Sequence, residues 1–465
     1  MYVQQIYTSC LAEAAYYIES DGEAAIIDPI RETEPYIELA RQRGAKIKYV
    51  FETHFHADFV SGHIDLSKKT GAPIIYGPNA ETAYKVYNAK DGEEFQLGSL
   101  TIRAIHTPGH TPESTCYLLL DASMQEYCIF TGDTLFVGDV GRPDLLDGKM
   151  SKEELAGMMY DSLNNKIKML PDEVIVYPAH GPGSSCGKNL GSETWSTIGH
   201  QKKTNYALRD MSRNEFVREL TEGLLPPPAY FFSDAKINKL GYENVDDVIR
   251  NNMRALSVED VEKEMKQGTL VLDTRINHHF EKGFIPGSLF IGLDGMYAIW
   301  VGTLIDINQP LIIVCEEGKE EESILRLARV GYEKVKGYLK GGFAAWKAAG
   351  KPVDTLDAVS PDEFAGLVKQ GVSVLDVRKI TEAENGHIPN ATVIPLSDIS
   401  GNMDSLDKNE KIYIHCAGGY RSVIAASLMK ARGFHNLVNV HGGWRQIMLK
   451  DVPVTTGTPS NLALS

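Results

Sequence analysis

No run of 18 apolar residues occurs in this sequence, which excludes a membrane-spanning helix of ordinary length. Cysteine is scarce, with six in 465 residues, no CxxC pair and no regular spacing, so no disulfide framework is written here. Positive charge is short as well: 47 Lys and Arg stand against 62 Asp and Glu, a net charge of -15. That balance disfavours nucleic acid and anionic membrane surfaces as partners. An anionic substrate must therefore find local positive charge in a metal, an arginine or a helix N-terminus. The first residues, MYVQQIYTSCLAEAAYYIE, lack the basic segment before an apolar stretch that a secretory signal needs. With no low-complexity tract either, the expectation is a cytoplasmic protein with reduced cysteines and no nucleic-acid or membrane partner.

What is present begins with ordinary globular composition, 43% hydrophobic and 23% charged, enough for every domain to bury a core. The length suggests about three domains. Two of them show as an internal repeat. Ser257, Gly268, Asp273, Arg275, Gly283 and Pro286 recur at Ser360, Gly371, Asp376, Arg378, Gly386 and Pro389, each pair 103 residues apart. Cys315, Gly318, Gly341 and Gly342 recur at Cys416, Gly419, Gly442 and Gly443, each pair 101 apart. The expected division is residues 1–250, 251–355 and 356–465, with Pro226, Pro227 and Pro228 breaking the pattern near the end of the first.

Short apolar runs alternate with helical patterns in the first segment: AAIID, then Thr33 to Arg43 closed by Gly44, then YVFE. Such alternation predicts α/β layering. Ser151 with Glu154 is a capping box. Each repeat opens on an N-capped helix, at Ser257 and at Ser360, and continues into a buried strand, LVLDTR or VSVLDVR. A second strand, LIIVC or KIYIHC, carries its cysteine into a loop, so each repeat reads as an open α/β domain with its site at the carboxyl edge of the sheet.

Four motifs in the first segment bear metal-ligand chemistry: THFHADF (53–59), HTPGHT (106–111), FTGDT (130–134) and YPAHG (177–181). Three of them follow directly on predicted strands, so their histidines and carboxylates converge on one sheet edge. On these motifs the segment resembles the metallo-β-lactamase fold, a four-layer αββα sandwich. In its dinuclear members the first motif reads HxHxDH, with the last two residues serving the second metal. Here Phe59 takes the final place, leaving a second metal Asp58, His180 and a shared Asp133. The persulfide dioxygenase branch of that fold is similar in TH-x-HAD, TPGHT and FTGD, and the resemblance implies one Fe(II) per chain on His54, His110 and Asp133, with zinc as the alternative. Two His and one carboxylate leave open positions for substrate and O2. His56, Asp58 and His180 would then orient ligands or substrate, or serve as alternative metal ligands. GRPD (141–144) resembles the family's GRxD, making Arg142 a candidate for substrate carboxylates or for holding the loop. Cys186, in GSSCGK six residues beyond His180, is a candidate substrate contact.

In the second repeat CAGGYRS (416–422) lies between a strand and a helix. Its successive amides, at Ala417, Gly418, Gly419, Tyr420 and Ser422, form an anion cradle beside a helix N-terminus, and with Arg421 they favour a Cys416 thiolate or persulfide. Together with LDVR, GHIP and HGGW this repeat resembles a rhodanese domain, which implies sulfane-sulfur transfer through Cys416. The first repeat keeps LDTR, GFIPG and GGFAAW, but its loop reads CEEGKEEES, whose glutamates repel a sulfur anion. It is expected to be an inactive rhodanese-like domain. The whole resembles a fused persulfide dioxygenase and rhodanese protein of sulfide detoxification. That resemblance implies oxidation of a thiol persulfide such as glutathione persulfide by O2 to sulfite and thiol, thiosulfate made or used at Cys416, and a homodimer or homotetramer. The alternative is a dinuclear zinc thioester hydrolase of glyoxalase II type fused to rhodanese domains.

Overall fold

The computed structural model describes residues 1–145, 150–224 and 226–462. It divides into two compact units, residues 1–248 with 327–332, and residues 249–326 with 333–465. Among the described residues no helix is long and apolar enough to cross a membrane.

In the first unit the strands Tyr2–Thr8, Glu13–Ser20, Glu23–Ile27, Lys46–Phe51, Ile74–Tyr76 and Tyr87–Asn88 make one six-stranded sheet in that order. The first three pair antiparallel and the rest parallel. A second six-stranded sheet runs Ser196–Thr197, Ile175–Pro178, Glu126–Gly132, Thr115–Leu120, Leu100–His106, Glu94–Leu97. Glu13–Ser20 and Thr115–Leu120 are buried almost throughout rather than in alternation, because both faces of each sheet are covered. Aromatic rings fill the space between the sheets, with Phe51 and Tyr117 4.7 Å apart and Tyr16 and Phe130 4.9 Å apart between ring centres. Outside the second sheet the helices Lys152–Asn165 and Arg213–Thr221 bury Met159, Leu163, Phe216 and Leu220. Outside the first, His63–Thr70 buries Ile64 against Ile74 and Tyr76. This is the αββα sandwich that the resemblance implied.

The helix ends follow their local chemistry. Ser151 and Glu154 satisfy each other's orphan amides in a full capping box, and Glu34–Arg43 stops on Gly44 in the left-handed conformation. Segment 327–332, which lies inside the 251–355 stretch of the sequence, groups with the first unit. There the fully buried Arg31 donates to the Ala328 carbonyl at 2.6 Å and Arg329 pairs with Glu32. A buried guanidinium must find acceptors, and these carbonyls and carboxylates supply them.

The second unit holds two parallel sheets of matching topology. The first runs Ala255–Leu256, Val335–Leu339, Leu311–Val314, Leu270–Asp273, Leu289–Phe290; the second runs Asp357–Val359, Leu437–Val440, Ile412–His415, Ser373–Asp376, Thr392–Val393, with Asn461–Leu462 added at the edge. The repeat reaches atomic detail. Arg275 holds Asp273 and the Gly283 carbonyl and lies over the Phe343 ring at 4.4 Å. Arg378 holds Asp376 and the Gly386 carbonyl and lies over the Trp444 ring at 4.3 Å. The cysteines Cys315 and Cys416 each leave the carboxyl end of the third strand in this order.

Phe51 is fully buried between the two sheets and touches Tyr49, Phe95 and Tyr117. Phe51→Ala is expected to destabilise the first unit by about 3–5 kcal/mol, seen as an earlier urea transition in tyrosine fluorescence. An unchanged midpoint would contradict the placement of this core.

Candidate metal centre and cysteine loops

Strand ends deliver the first site. His54 follows Lys46–Phe51, Asp133 follows Glu126–Gly132, His180 follows Ile175–Pro178, and His110 sits in the loop between Leu100–His106 and Thr115–Leu120. Backbone hydrogen bonds tie these ends together: Thr115 N–H to the Thr53 carbonyl at 2.9 Å, Ala179 N–H to Gly132 at 3.1 Å and Gly181 N–H to Ala12 at 3.0 Å. Gly132 is at φ +52°, and a Cβ there would lie 2.6 Å from the Thr53 Cβ, so only glycine lets these two strand ends close.

His54, His110 and Asp133 present ligand atoms within 4.8 Å of one another, all buried, and His56, Asp58 and His180 do the same beside them. Asp133 Oδ2 lies 3.4 Å from His110 Nε2 and 3.8 Å from His54 Nε2, while Asp133 Oδ1 lies 3.5 Å from His180 Nε2. The second ring nitrogens are held: His54 Nδ1 meets Thr53 Oγ1 at 2.9 Å and His110 Nδ1 meets the Arg142 carbonyl at 2.7 Å, the outer contacts that fix a ligand's orientation. Both Asp133 oxygens, His180 Nε2 and both nitrogens of His56 are buried with no hydrogen-bond partner. Buried donors in that condition fit a cation, since uncompensated they cost several kcal/mol each. Burial, reinforced by His56, His110 and His180, drives His54 well below the usual histidine range, so it is the neutral imidazole a metal takes. At His180 burial acts downward, but the Asp58 and Asp133 carboxylates outweigh it and raise the ring above its ordinary value.

Phe59, in the place of the family's last histidine, is fully buried with its ring 4.4 Å from that of His56. His56 turns its Nε2 toward Asp28 Oδ1 at 3.2 Å and Glu52 Oε2 at 3.6 Å. Arg142 is committed to Asp144 through two bonds of 2.6 and 2.7 Å, while its own backbone N–H takes the Cys186 carbonyl at 2.9 Å. It therefore ties the loop that orients His110 to the loop that carries Cys186. Cys186 itself joins Asp133 and His180 in a third buried group of potential ligands. Burial and the Asp58 and Asp133 carboxylates push its thiol well up; a cation beside Asp133 would act in the opposite sense.

Sequence reasoning missed the supporting layer. Asp28 accepts from Thr53 N–H at 2.7 Å and Thr53 Oγ1 at 2.8 Å. Asn238 holds the carbonyls of His56 and Phe59, each at 2.8 Å, from 179 or more residues away. Glu13 and Glu52 are buried carboxyls that desolvation, followed by Asp28, raises well above their ordinary range. The Asp closing AAIID and the Glu opening ETH were the only local signals.

At the second cysteine loop Gly419 N–H points to Cys416 Sγ at 3.1 Å and Ser422 Oγ lies at 3.6 Å. Trp444 N–H closes on the Cys416 carbonyl at 2.6 Å. Arg421 makes a two-point pair with Glu382 at 2.7 and 2.8 Å and remains near enough to Cys416 to interact with it electrostatically. In the first loop, burial and then Glu320, Asp273 and Glu316 push the Cys315 thiol up to about 12.

The comparisons with known proteins bear on both sites. The metallo-beta-lactamase superfamily pattern matches residues 9–180, and the rhodanese-like domain pattern matches 257–349 and 360–450. The persulfide dioxygenase ETHE1, mitochondrial, of Bos taurus is 31% identical over 208 residues, 44% of this chain and 74% of that protein. A hydroxyacylglutathione hydrolase of Rhizobium etli is 36% identical over 161 residues, 34% of this chain and 57% of that protein. Across the hydroxyacylglutathione hydrolases it matches, the chain spans 57% to 62% of their own length. A solved metallo-beta-lactamase from Staphylococcus aureus subsp. aureus COL superimposes with a TM-score of 0.66 at 31% identity, covering 73% of this chain and 99% of that one.

Two outcomes follow from this geometry. Asp133→Asn removes the charge shared by both ligand groups, so metal retained after dialysis, read by mass spectrometry, falls by more than about tenfold; full retention would place the ion elsewhere. Alkylation of Cys315 by iodoacetamide keeps accelerating with pH throughout the folded range. Glu316→Gln with Glu320→Gln moves that profile to lower pH, burial holding it above a free cysteine.

Proposed function

The chain belongs to the metallo-beta-lactamase superfamily and carries two rhodanese-like repeats behind that domain, and from this premise we propose that it is an iron-dependent persulfide dioxygenase coupled to a sulfurtransferase. On this reading residues 1–250 are the dioxygenase, 251–355 an inactive rhodanese-like domain and 356–465 the active one. The observation that carries the proposal is Phe59, which removes one ligand of a second metal while leaving His54, His110 and Asp133 intact as a three-ligand set. Bound Fe(II) would supply redox and Lewis-acid chemistry between O2 and the persulfide. The protein's own groups hold that chemistry in place: Thr53 and the Arg142 carbonyl fix the two imidazoles, and burial keeps bulk water from the reacting sulfur. Cys186 and the Arg142 loop are the proposed substrate contacts.

The overall reaction balances as RSSH + O2 + H2O giving RSH, sulfite and two protons. At the second site the Cys416 thiolate attacks the sulfane sulfur of another persulfide, breaking its S–S bond, leaving Cys416–S–SH and releasing RS⁻, which takes a proton from water to become RSH. Sulfite then takes that sulfur, giving thiosulfate and restoring the thiol. Gly419 N–H and Ser422 Oγ are placed to stabilise the sulfur anion in both directions. All six cysteines are free, which supports a reducing compartment, the cytoplasm. A second reading, a dinuclear zinc thioester hydrolase, is favoured by the His56, Asp58 and His180 group and by the hydroxyacylglutathione hydrolase relatives.

Oxygen uptake by Fe(II)-loaded protein given glutathione persulfide decides between the two. Uptake yielding thiosulfate in the wild type but free sulfite in Cys416→Ser is the expected result. No uptake with any persulfide, together with two zinc ions per chain and turnover of S-lactoylglutathione, would overturn it.

A further inference from the structure

We propose that the first rhodanese-like repeat, which lacks an anion cradle of its own, is the positioning element of the Cys416 loop and acts through a socket for Tyr420. This rests on the reading of Cys416 as a sulfur carrier. Tyr420 follows Gly418 and Gly419, the most freely turning stretch of the loop, and precedes the helix Arg421–Ala431. Its side chain leaves the second repeat. The hydroxyl donates to the Gly292 carbonyl at 2.7 Å, and the ring meets Phe290 edge-on with centres 6.0 Å apart. Gly295 makes the room: a Cβ there would lie 2.2 Å from the Tyr420 ring.

Two further contacts from the first repeat hold the elements that flank this loop. Phe290 N–H donates to Ser427 Oγ at 3.1 Å, two turns along the helix that Tyr420 starts. The buried Glu281 carboxylate accepts from Asn439 at 2.6 Å and from His441 Nε2 at 3.1 Å, and His441 leads into the Gly442–Gly443 turn that closes on Cys416. The arrangement is one-sided. Lys319 stands 101 residues before Tyr420, exposed and paired with Glu322 of its own loop. Packing between two alike repeats would not produce this difference; a loop of one repeat anchored in the other does. With the Gly418–Gly419 backbone held at both ends, the Gly419 amide stays aimed at the sulfur.

The test alters the socket and reads the thiol. Gly295→Val fills the socket from the first repeat, Tyr420→Phe removes the hydroxyl, and neither changes a charge at neutral pH. The pH profile of Cys416 alkylation by iodoacetamide, followed on the Cys416 peptide by mass spectrometry, is compared with kcat/KM for thiosulfate to cyanide sulfur transfer. Melting of each variant controls for folding, and oxygen uptake controls for the first unit. The expected result is a Cys416 titration moved upward with a fall in kcat/KM of about tenfold or more in Gly295→Val, a smaller change of the same sign in Tyr420→Phe, and unchanged oxygen uptake. If Gly295→Val fails to fold, Gly295→Ala and Tyr420→Phe carry the comparison. Profiles that coincide with the wild type would overturn the inference. A shifted profile in a protein whose wild type transfers no sulfur would instead uphold the socket and remove the sulfurtransferase reading.

Discussion

The first unit depends on a concentration of buried carboxylates and imidazoles that must compensate one another or hold a cation. His54, His56, Asp58, His110, Asp133 and His180 are all shielded from water at one edge of the sandwich. Carboxylates and imidazoles so placed are paired, protonated or bound to a metal. The strands converge there because backbone bonds cross from sheet to sheet, and the aromatic layer between the sheets keeps those bonds in register. The outer carboxyls Asp28 and Glu52 are part of the same arrangement: both face the His56 Nε2, at 3.2 and 3.6 Å.

Phe59 marks where the chain departs from a two-metal pattern. Placing an aromatic ring against His56 removes one ligand and also gives the imidazole an apolar neighbour on one side and two carboxylates on the other. Cys186 and Arg142 are linked through backbone, so the cysteine's loop is tied to the one that holds His110. With a net charge of -15, any positive field for the proposed anionic substrates has to be made locally, by a metal that the Asp133 set would hold and by loop amides.

The two repeats show how one fold separates scaffold from chemistry. Asp273 with Arg275 and Asp376 with Arg378 make the same bonds, and the strand orders match. What differs is a loop of a few residues after one strand, where amides and a hydroxyl surround one sulfur and carboxylates surround the other. On the proposed reading the first repeat carries no reaction of its own, and the contacts of Gly292, Gly295 and Glu281 give it a part in holding the second.

Much of this was legible in the residues. Strand and helix positions showed in the alternation of apolar runs with capped helices, the repeat in its constant offsets, and the metal set in four motifs, three of them placed directly after predicted strands, because these signals are local and recur at fixed spacing. The sandwich was legible only through resemblance. What tertiary structure alone decided are the pairings between distant positions: Asn238 on the His56 loop, Asp28 behind Thr53, Glu382 on Arg421, Arg329 on Glu32, Tyr420 in the socket of Gly295. Nothing beside a carboxylate or a glycine in the chain says which far side chain it will meet. The sequence by itself therefore determined which chemistry each strand end carries, since that is a property of neighbours along the chain. Only the fold decided how those groups are aimed, because burial and direction arise when segments far apart in sequence close on one another.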